Sequence, residues 1–286
     1  MSPGKKFRQA IAIEKPLQIP GVINAYCAIL AEKRGFNALY LSGAGVANAS
    51  YGIPDVGLTT LEHVLIDVRR ITATTGLPLL VDADTGWGDP ARTARELIKA
   101  GAAAMHIEDQ VDAKRCGHLA GKKLISAEAM ASRIKAANRG RVDKDFVILA
   151  RTDSVAREGL EAGIDRAIKY REAGADMIFA EALSGLSQYR RFVEAVNLPV
   201  LANITEFGKT PLLTLQQLRK AGVAMALYPL SAFRAMNAAA LEVYRVLRAD
   251  GTQKKVLKRM QTRSDLYRFL DYDPAAKRAW RRFRIE

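Results

Sequence analysis

The sequence predicts a closed (β/α)8 barrel of the TIM type, and three observations carry that prediction. The chain has 286 residues, a length that α/β barrels commonly reach as one domain. One rhythm repeats along it: a short apolar, β-rich run, a polar loop, then a segment of helical periodicity, often closed by glycine. The apolar runs are near-continuous rather than alternating, the pattern of a parallel sheet covered on both faces. A doubly wound open sheet is the alternative, but no glycine-rich phosphate loop opens a helix as that fold usually requires.

Eight runs read as strands: "LQIPGVI" (17–23), "ALYLSG" (38–43), "LPLLVDAD" (77–84), "AAMHIED" (103–109), "FVILART" (146–152), "MIFAEA" (177–182), "LPVLANI" (198–204) and "VAMALYP" (223–229). A helical pattern follows each, such as "TTLEHVLIDVRRITATTG" after the second, "AEAMASRIKAANRG" after the fourth and "EGLEAGIDRAIKYREAG" after the fifth. Gly35, Gly76, Gly101, Gly140, Gly174 and Gly222 fall where helices should stop, as residues that accept positive φ. After the eighth strand come two helical patterns, "SAFRAMNAAALEVYRVLRADG" and "TQKKVLKRMQTRSDLYRFL". A barrel needs only the first. Residues 252–286 therefore read as a helical extension and basic tail on one domain spanning 1–286, capping the barrel or packing on a neighbouring subunit.

Composition narrows the function classes. No apolar run approaches the ~20 residues of a membrane helix. The start, "MSPGKKFRQA", lacks the apolar segment and cleavage site of a signal peptide. Two cysteines make no disulfide framework, so a reducing cytoplasm is expected. The formal net charge is +14; from Arg245 to Glu286 there are 13 Lys/Arg against 5 Asp/Glu, a net of +8. Such an excess suits nucleic acid, an anionic membrane or a polyanionic substrate, but a solvated basic helix and tail explains most of it. No zinc finger, RNA-binding signature or aromatic-interleaved basic stripe supports a nucleic-acid partner.

In a barrel, chemistry sits at the C-terminal ends of the strands. Those ends carry Ser42-Gly43-Ala44-Gly45, Asp82 and Asp84, Glu108 and Asp109, Arg151 and Asp153, Glu181, Asn203 and Thr205, and Tyr228. In "VDADTGWG", Asp82 and Asp84 lie two apart, so on a strand both would face one way. Two carboxylates that close repel unless a cation sits between them, and oxygen-only ligands favour a hard ion such as Mg2+. Glu108 and, from the "GIPDVG" loop, Asp55 could hold the ion through water. The structural alternative is capping and salt-bridging to Arg92 or Arg95. "LSGAGVANAS" reads as a small-residue loop whose N–H groups could cradle a carboxylate, or simply as a tight turn. Arg151, Arg234 and Arg263 are candidate carboxylate forks, with Arg151 alone placed by strand position. Asn203 and Thr205 could hydrogen-bond a carboxylate, or stabilise their loop. His63 reads as a surface residue at a helix start, His106 as packed and hydrogen-bonded on its strand, and Cys27 as a buried small hydrophobe.

"KRCGH" (114–118) begins five residues after Asp109, on the loop following strand four. Zinc is disfavoured, because no second Cys or His lies at ligand spacing. Lys114, Arg115 and His118 would draw the thiol pKa of Cys116 towards neutrality, where it can donate or accept a proton. Gly117 permits a tight turn there.

Together, "LSGAGVA", "VDADTGWG", "HIEDQ", "KRCGH", "ARTDS", "LANITEFG" and "ALYPLSAFRAMN" resemble the isocitrate lyase/phosphoenolpyruvate mutase superfamily, in order and over nearly the whole chain. "KRCGH" marks the lyase branch. The resemblance implies Mg2+-dependent, retro-Claisen-type cleavage of a small 2-hydroxytricarboxylate into succinate and pyruvate. It assigns Asp82 and Asp84 to the metal, with Asp55 and Glu108 acting through water. It assigns Ser42, Gly43, Ala44, Cys116, Gly117, Arg151, Glu181, Asn203, Ile204, Thr205, Arg234 and Arg263 to the substrate, and Cys116 to protonation of the succinate carbanion. His118 would tune that thiol or bind a carboxylate, and Tyr40 or a metal-bound group would remove the hydroxyl proton. The superfamily also implies a homotetramer with the last helix exchanged between subunits. Two features depart from it: the segment between "GWG" and "IKAG" is short, and the ending "AAKRAWRRFRIE" is unusually basic. Members that cleave isocitrate tend to carry Trp where Phe179 stands and a small polar residue where Leu227 stands, which points to a substrate with one more methyl. Rival readings are an isocitrate-cleaving or dialkylmalate-type lyase and, in another class, a basic nucleic-acid-binding scaffold without turnover.

Overall fold

A computed structural model describes residues 1–112 and 123–273; "KRCGH", with Cys116, Gly117 and His118, and the tail from 274 lie outside the described residues. The strands are β1 Leu17–Pro20, β2 Leu39–Leu41, β3 Leu79–Asp82, β4 Ala104–Glu108, β5 Val147–Thr152, β6 Met177–Ala180, β7 Val200–Asn203 and β8 Met225–Tyr228. Each lies inside the run that predicted it, because the loop residues at its ends leave the ladder early. All pairings are parallel, in the order β1-β8-β7-β6-β5-β4-β3-β2. β1 and β2 meet at one bridge, Gly21 to Tyr40, which brings the sheet nearly to closure as a (β/α)8 barrel.

The helices are α1 Pro3–Ile13, α2 Ala25–Lys33, α3 Gly43–Gly45, α4 Leu61–Thr72, α5 Pro90–Lys99 and α6 Ala127–Gly140. Then come α7 Val155–Glu158, α8 Leu160–Glu172, α9 Leu186–Val196, α10 Leu215–Lys220, α11 Ser231–Asp250 and α12 Arg263–Phe269. Capping chemistry starts many of them: the side chains of Asn24, Asp89, Ser126 and Thr214 each accept from the third N–H of the helix that follows. Despite its shortness, the "GWG"–"IKAG" segment forms a complete α5, with Pro90 in its first turn and Thr93, Ala94 and Leu97 buried.

Three apolar clusters follow from strand parity. Inward residues such as Leu17, Ile19, Tyr40, Leu80, Leu149, Phe179, Leu201 and Leu227 fill the barrel. Outward residues of the sheet pack against α2, α4 and α5 on one half and α6, α8, α9 and α10 on the other. The N-terminal segment forms α1. It plugs the barrel floor with Phe7, Ala10 and Ile11, and Arg8 ties it to Asp176 at 2.8 Å.

Two glycine readings are corrected. Gly35, Gly101, Gly174 and Gly222 take positive φ as expected, but Gly76 and Gly140 do not. Gly140 ends α6 against α5, where a Cβ would stand 2.0 Å from the Ala91 carbonyl oxygen; close approach, not chirality, requires glycine there. "LSGAGVANAS" is helical rather than a loop: α3 runs into a π-helical turn, Val46–Ser50, and the N–H groups of Gly43 to Gly45 stand in its first turn.

α11 departs from a standard barrel helix. Only Val246 of its twenty residues is buried, while Leu241 and Tyr244 are about 70% exposed. The sheet sector it would cover is correspondingly thin, since Gln18, Pro20 and Tyr228 are half-buried whereas every residue of β2 to β7 is buried. α12 lies along α2, joined by Tyr26–Gln261 at 2.8 Å and Lys33–Asp271 at 2.8 Å.

Candidate active site

The inward parity of the strands carries past the apolar layers to a polar layer at the C-terminal mouth. Leu80 leads to Asp82, Ala104 to His106 and Glu108, Leu149 to Arg151, and Leu201 to Asn203. Glu181 follows β6 in the same phase as Phe179. All six polar side chains are less than a tenth exposed.

At the β2–β3 edge, Asp82 and Asp84 converge on Gly43. A Cβ built there would lie 3.1 Å from Asp82 Oδ2 and 3.2 Å from Asp84 Oδ1. Strand alternation alone does not produce this, because β3 ends at Asp82 and Asp84 takes a left-handed φ of 45° that turns its carboxylate back to the axis. The Gly43 and Asp84 N–H groups donate to Asp82 Oδ2 and Oδ1, both at 3.1 Å. Of the two arginines in the salt-bridge alternative, Arg92 reaches Glu62 at 4.0 Å. Two buried carboxylates facing a side-chain-free cradle fit a hard divalent cation, an oxygen donor set that would hold the ion at Asp82 and Asp84.

His106 is packed and hydrogen-bonded, as read from its place on a strand. Its Nε2 lies 2.9 Å from the Tyr40 hydroxyl and 3.6 Å from Asp82 Oδ1, and its ring meets Phe179 edge-on at 5.1 Å. Tyr40 also donates to Asp82 Oδ2 at 3.4 Å. Burial, with Asp82 beside it, pushes the Tyr40 hydroxyl well above its ordinary pKa.

Across the mouth, Arg151 is held on several sides. Asp153 forks it at 3.0 and 3.2 Å, Glu108 and Glu181 each approach to 3.4 Å, and its guanidinium lies over the Phe179 ring at 4.9 Å. Burial works against its charge, yet Asp153, Glu108 and Glu181 override this and hold the guanidinium well above its ordinary pKa. Asn203 donates to Glu181 at 3.2 Å, and Ile204, Thr205 and Ser42 are buried beside the strand ends. Sequence reasoning placed Asp153 at a strand end but gave it no role; its signal was the spacing of two from Arg151.

The remaining expected residues lie farther out. Ala44 is in α3 and half-buried, and Asp55 lies half-buried between the π-helical turn and α4. Arg234, in the first turn of α11, is 3.6 Å from Glu206 and stacks on Phe207. Arg263 opens α12 on the surface, and no described contact joins it to the strand-end group.

Residues 7–248 match the family model described as phosphoenolpyruvate phosphomutase. The chain is 59% identical over 275 residues to 2-methylisocitrate lyase of Escherichia coli, covering 95% of this chain and 93% of that protein. It is 60% identical over 274 residues to 2-methylisocitrate lyase of Shewanella oneidensis, covering 95% and 94%. Among solved structures, 2,3-dimethylmalate lyase, a PEP mutase/isocitrate lyase superfamily member, superposes with a TM-score of 0.87 at 34% identity, covering 94% of this chain and 91% of that one.

Proposed function

The chain belongs to the phosphoenolpyruvate mutase/isocitrate lyase family, and from that premise we propose that it is a carbon–carbon lyase cleaving 2-methylisocitrate to pyruvate and succinate. The observation that carries the reading is the barrel mouth itself. A carboxylate pair on a glycine cradle stands at one edge, and a guanidinium held by three acids at the other.

In this reading Asp82 and Asp84 hold Mg2+, with Asp55 and Glu108 reaching it through water. When bound, the ion would supply Lewis-acid stabilisation of the oxygen that carries charge once the hydroxyl proton has left and before the C–C bond breaks. Arg151, already oriented, shares that charge without reorganising. Ser42, Gly43, Ala44, Gly117, Glu181, Asn203, Ile204, Thr205, Arg234 and Arg263 bind the substrate and its carboxylates. The hydroxyl proton leaves to a base, the C–C electron pair passes to the succinate fragment, and that carbanion takes a proton from Cys116, a thiol that His118 would tune. Tyr40 enters as a hydrogen-bond donor to Asp82. Phe179 and Leu227, both 1% exposed in the barrel interior, present apolar surface for the methyl that separates this substrate from isocitrate. One methyl accounts for roughly 1–3 kcal/mol of discrimination, or 10–200-fold.

The assembly belongs to the same proposal: a homotetramer with a helix exchanged between copies, where the exchange expected of the 252–286 extension is assigned instead to α11, the helix before it. The exposed apolar side chains of α11 and the half-buried β8–β1 sector support it, being two unsatisfied faces of matching kind. No helix of the described residues is long and apolar enough to cross a membrane. The two cysteines support a reducing, cytoplasmic setting, and no nucleic-acid motif points to that partner. The basic charge suits a trianionic substrate.

The test is a coupled assay with Mg2+ and, separately, 2-methylisocitrate, isocitrate and 2,3-dimethylmalate. Pyruvate formed fastest from the first supports the reading. Faster glyoxylate from isocitrate, or faster cleavage of the dimethylmalate, overturns it. No product from any of them, with tight salt-sensitive nucleic-acid binding, replaces it with the scaffold reading.

A further inference from the structure

We propose that Asp109 is a positioning residue, holding the peptide after β5 so that Arg151 is presented to the reacting oxygen. Asp109 follows Glu108 and has the opposite parity, so its side chain faces away from the barrel axis, where it is fully buried. Its Oδ1 accepts the Asp153 N–H at 2.9 Å. Its Oδ2 accepts the Thr152 and Tyr170 hydroxyls, each at 2.8 Å, with Arg166 Nη1 at 3.6 Å.

The peptide that Asp109 holds joins Thr152 to Asp153, one step beyond the end of the β5 ladder. The carbonyl of that peptide accepts the Glu181 N–H at 3.1 Å, and its N–H donates to Asp109. The peptide plane is thus pinned from both sides. The next side chain along is Asp153, whose carboxylate forks Arg151 at 3.0 and 3.2 Å. The path from Asp109 to the guanidinium is therefore two hydrogen-bonded steps joined by one rigid peptide. The backbone carbonyl of Asp109 also accepts the Ile125 N–H at 2.9 Å, so the same residue fixes where the chain re-enters the barrel rim.

A fully buried carboxylate is a costly way to stabilise a barrel, and burial, with the Asp153 charge near it, pushes the Asp109 carboxyl upward. An acceptor-only group is what this place requires, because it must receive two hydroxyls, a backbone N–H and the edge of a guanidinium at once. Asparagine would turn two of its own N–H bonds on those donors.

The kinetic readout of this inference rests on the lyase reading. Two variants of the whole chain separate positioning from stability. Asp109→Asn disturbs the pin on the 152–153 peptide. Tyr170→Phe removes one hydroxyl from the same carboxylate and leaves that pin intact. Asp109→Asn is expected to lower kcat by about 10- to 100-fold with KM changed less than about threefold, the effect of a misplaced but present group. Tyr170→Phe is expected to lower Tm with kcat within about threefold of the parent. Equal kcat losses that follow the Tm losses in both variants, or a near-parental kcat in Asp109→Asn, would overturn the proposal. Should Asp109→Asn not fold, Asp109→Glu serves in its place, because it keeps an acceptor-only carboxylate but moves it off the Asp153 N–H: a kcat loss with KM held supports the pin, and an unchanged kcat removes it. If the parent chain cleaves no tricarboxylate, the function reading fails by itself. Crystal structures then decide this one: the Arg151–Asp153 fork broken in Asp109→Asn but kept in Tyr170→Phe supports it, and kept in both refutes it.

Discussion

Gly43 is the residue on which the metal assignment turns, because it leaves open the space that Asp82 and Asp84 face. A methyl there would press on both carboxylates, at 3.1 and 3.2 Å, without touching the fold's apolar layers. Gly43→Ala is therefore expected to weaken Mg2+ binding by about 10- to 100-fold, the range seen when a metal's supporting shell is disturbed. Calorimetric titration of the metal alone checks it, with Tm as a control; unchanged affinity would remove Gly43 from the cradle. Much of this site was legible at the level of single positions. Parity along a strand sends Asp82, Glu108, Arg151 and Asn203 to the mouth from sequence alone. What was not legible came from φ rather than pattern: the left-handed turn at Asp84 that closes the pair, and the helical path of 43–50 where a loop was expected. Asp153 and Asp109 were visible as strand-end acids. Which one forks Arg151 and which one holds the peptide depends on where the two faces of a strand lie, a distinction that appears only once the barrel closes.

Among the elements, the α5–α6 contact shows what the segment between "GWG" and "IKAG" builds. α5 has its full capping, Asp89 accepting from Arg92 N–H and Pro90 entering the first turn. What it needs is a close neighbour, and Gly140 permits that. With the Ala91 carbonyl oxygen 2.0 Å from where a Cβ would stand, Gly140→Ala must push the helices apart. The gain in helix propensity from alanine, about 1 kcal/mol, is smaller than the overpacking it meets, about 1–3 kcal/mol and more against backbone. Gly140→Ala is therefore expected to lower Tm, and Gly140→Ser more so; a Tm at or above the parent's would refute the contact. Sequence periodicity found both helices but assigned Gly140 to a C-terminal cap, because a glycine ending a helical pattern looks the same whether φ or a neighbour's backbone demands it.

At the scale of the whole molecule, one helix is out of balance with the rest. Each of β2 to β7 has its outer face buried, while β1 and β8 show Gln18, Pro20 and Tyr228 half-open, and α11 holds Met236, Leu241, Tyr244 and Leu247 exposed. A chain folded alone would leave both faces in water. Reciprocal exchange of α11, as proposed, would bury both at once, since the same helix and the same seat exist in every copy, and a two-fold axis would satisfy both copies together. Exchange pairs copies; a homotetramer then needs a second contact between pairs, on a face α11 does not use. Replacing Leu241 and Tyr244 by Glu tests the pairing, because both side chains are already exposed in the single chain, at 70% and 68%, and the change costs the isolated fold little. The parent is expected to sediment as a multiple of 31.3 kDa and the double variant as the single chain, with a Tm that no longer rises with protein concentration. A parent that is monomeric at micromolar concentration, or a variant that assembles as the parent does, would leave α11 exposed for some other reason and withdraw the exchange.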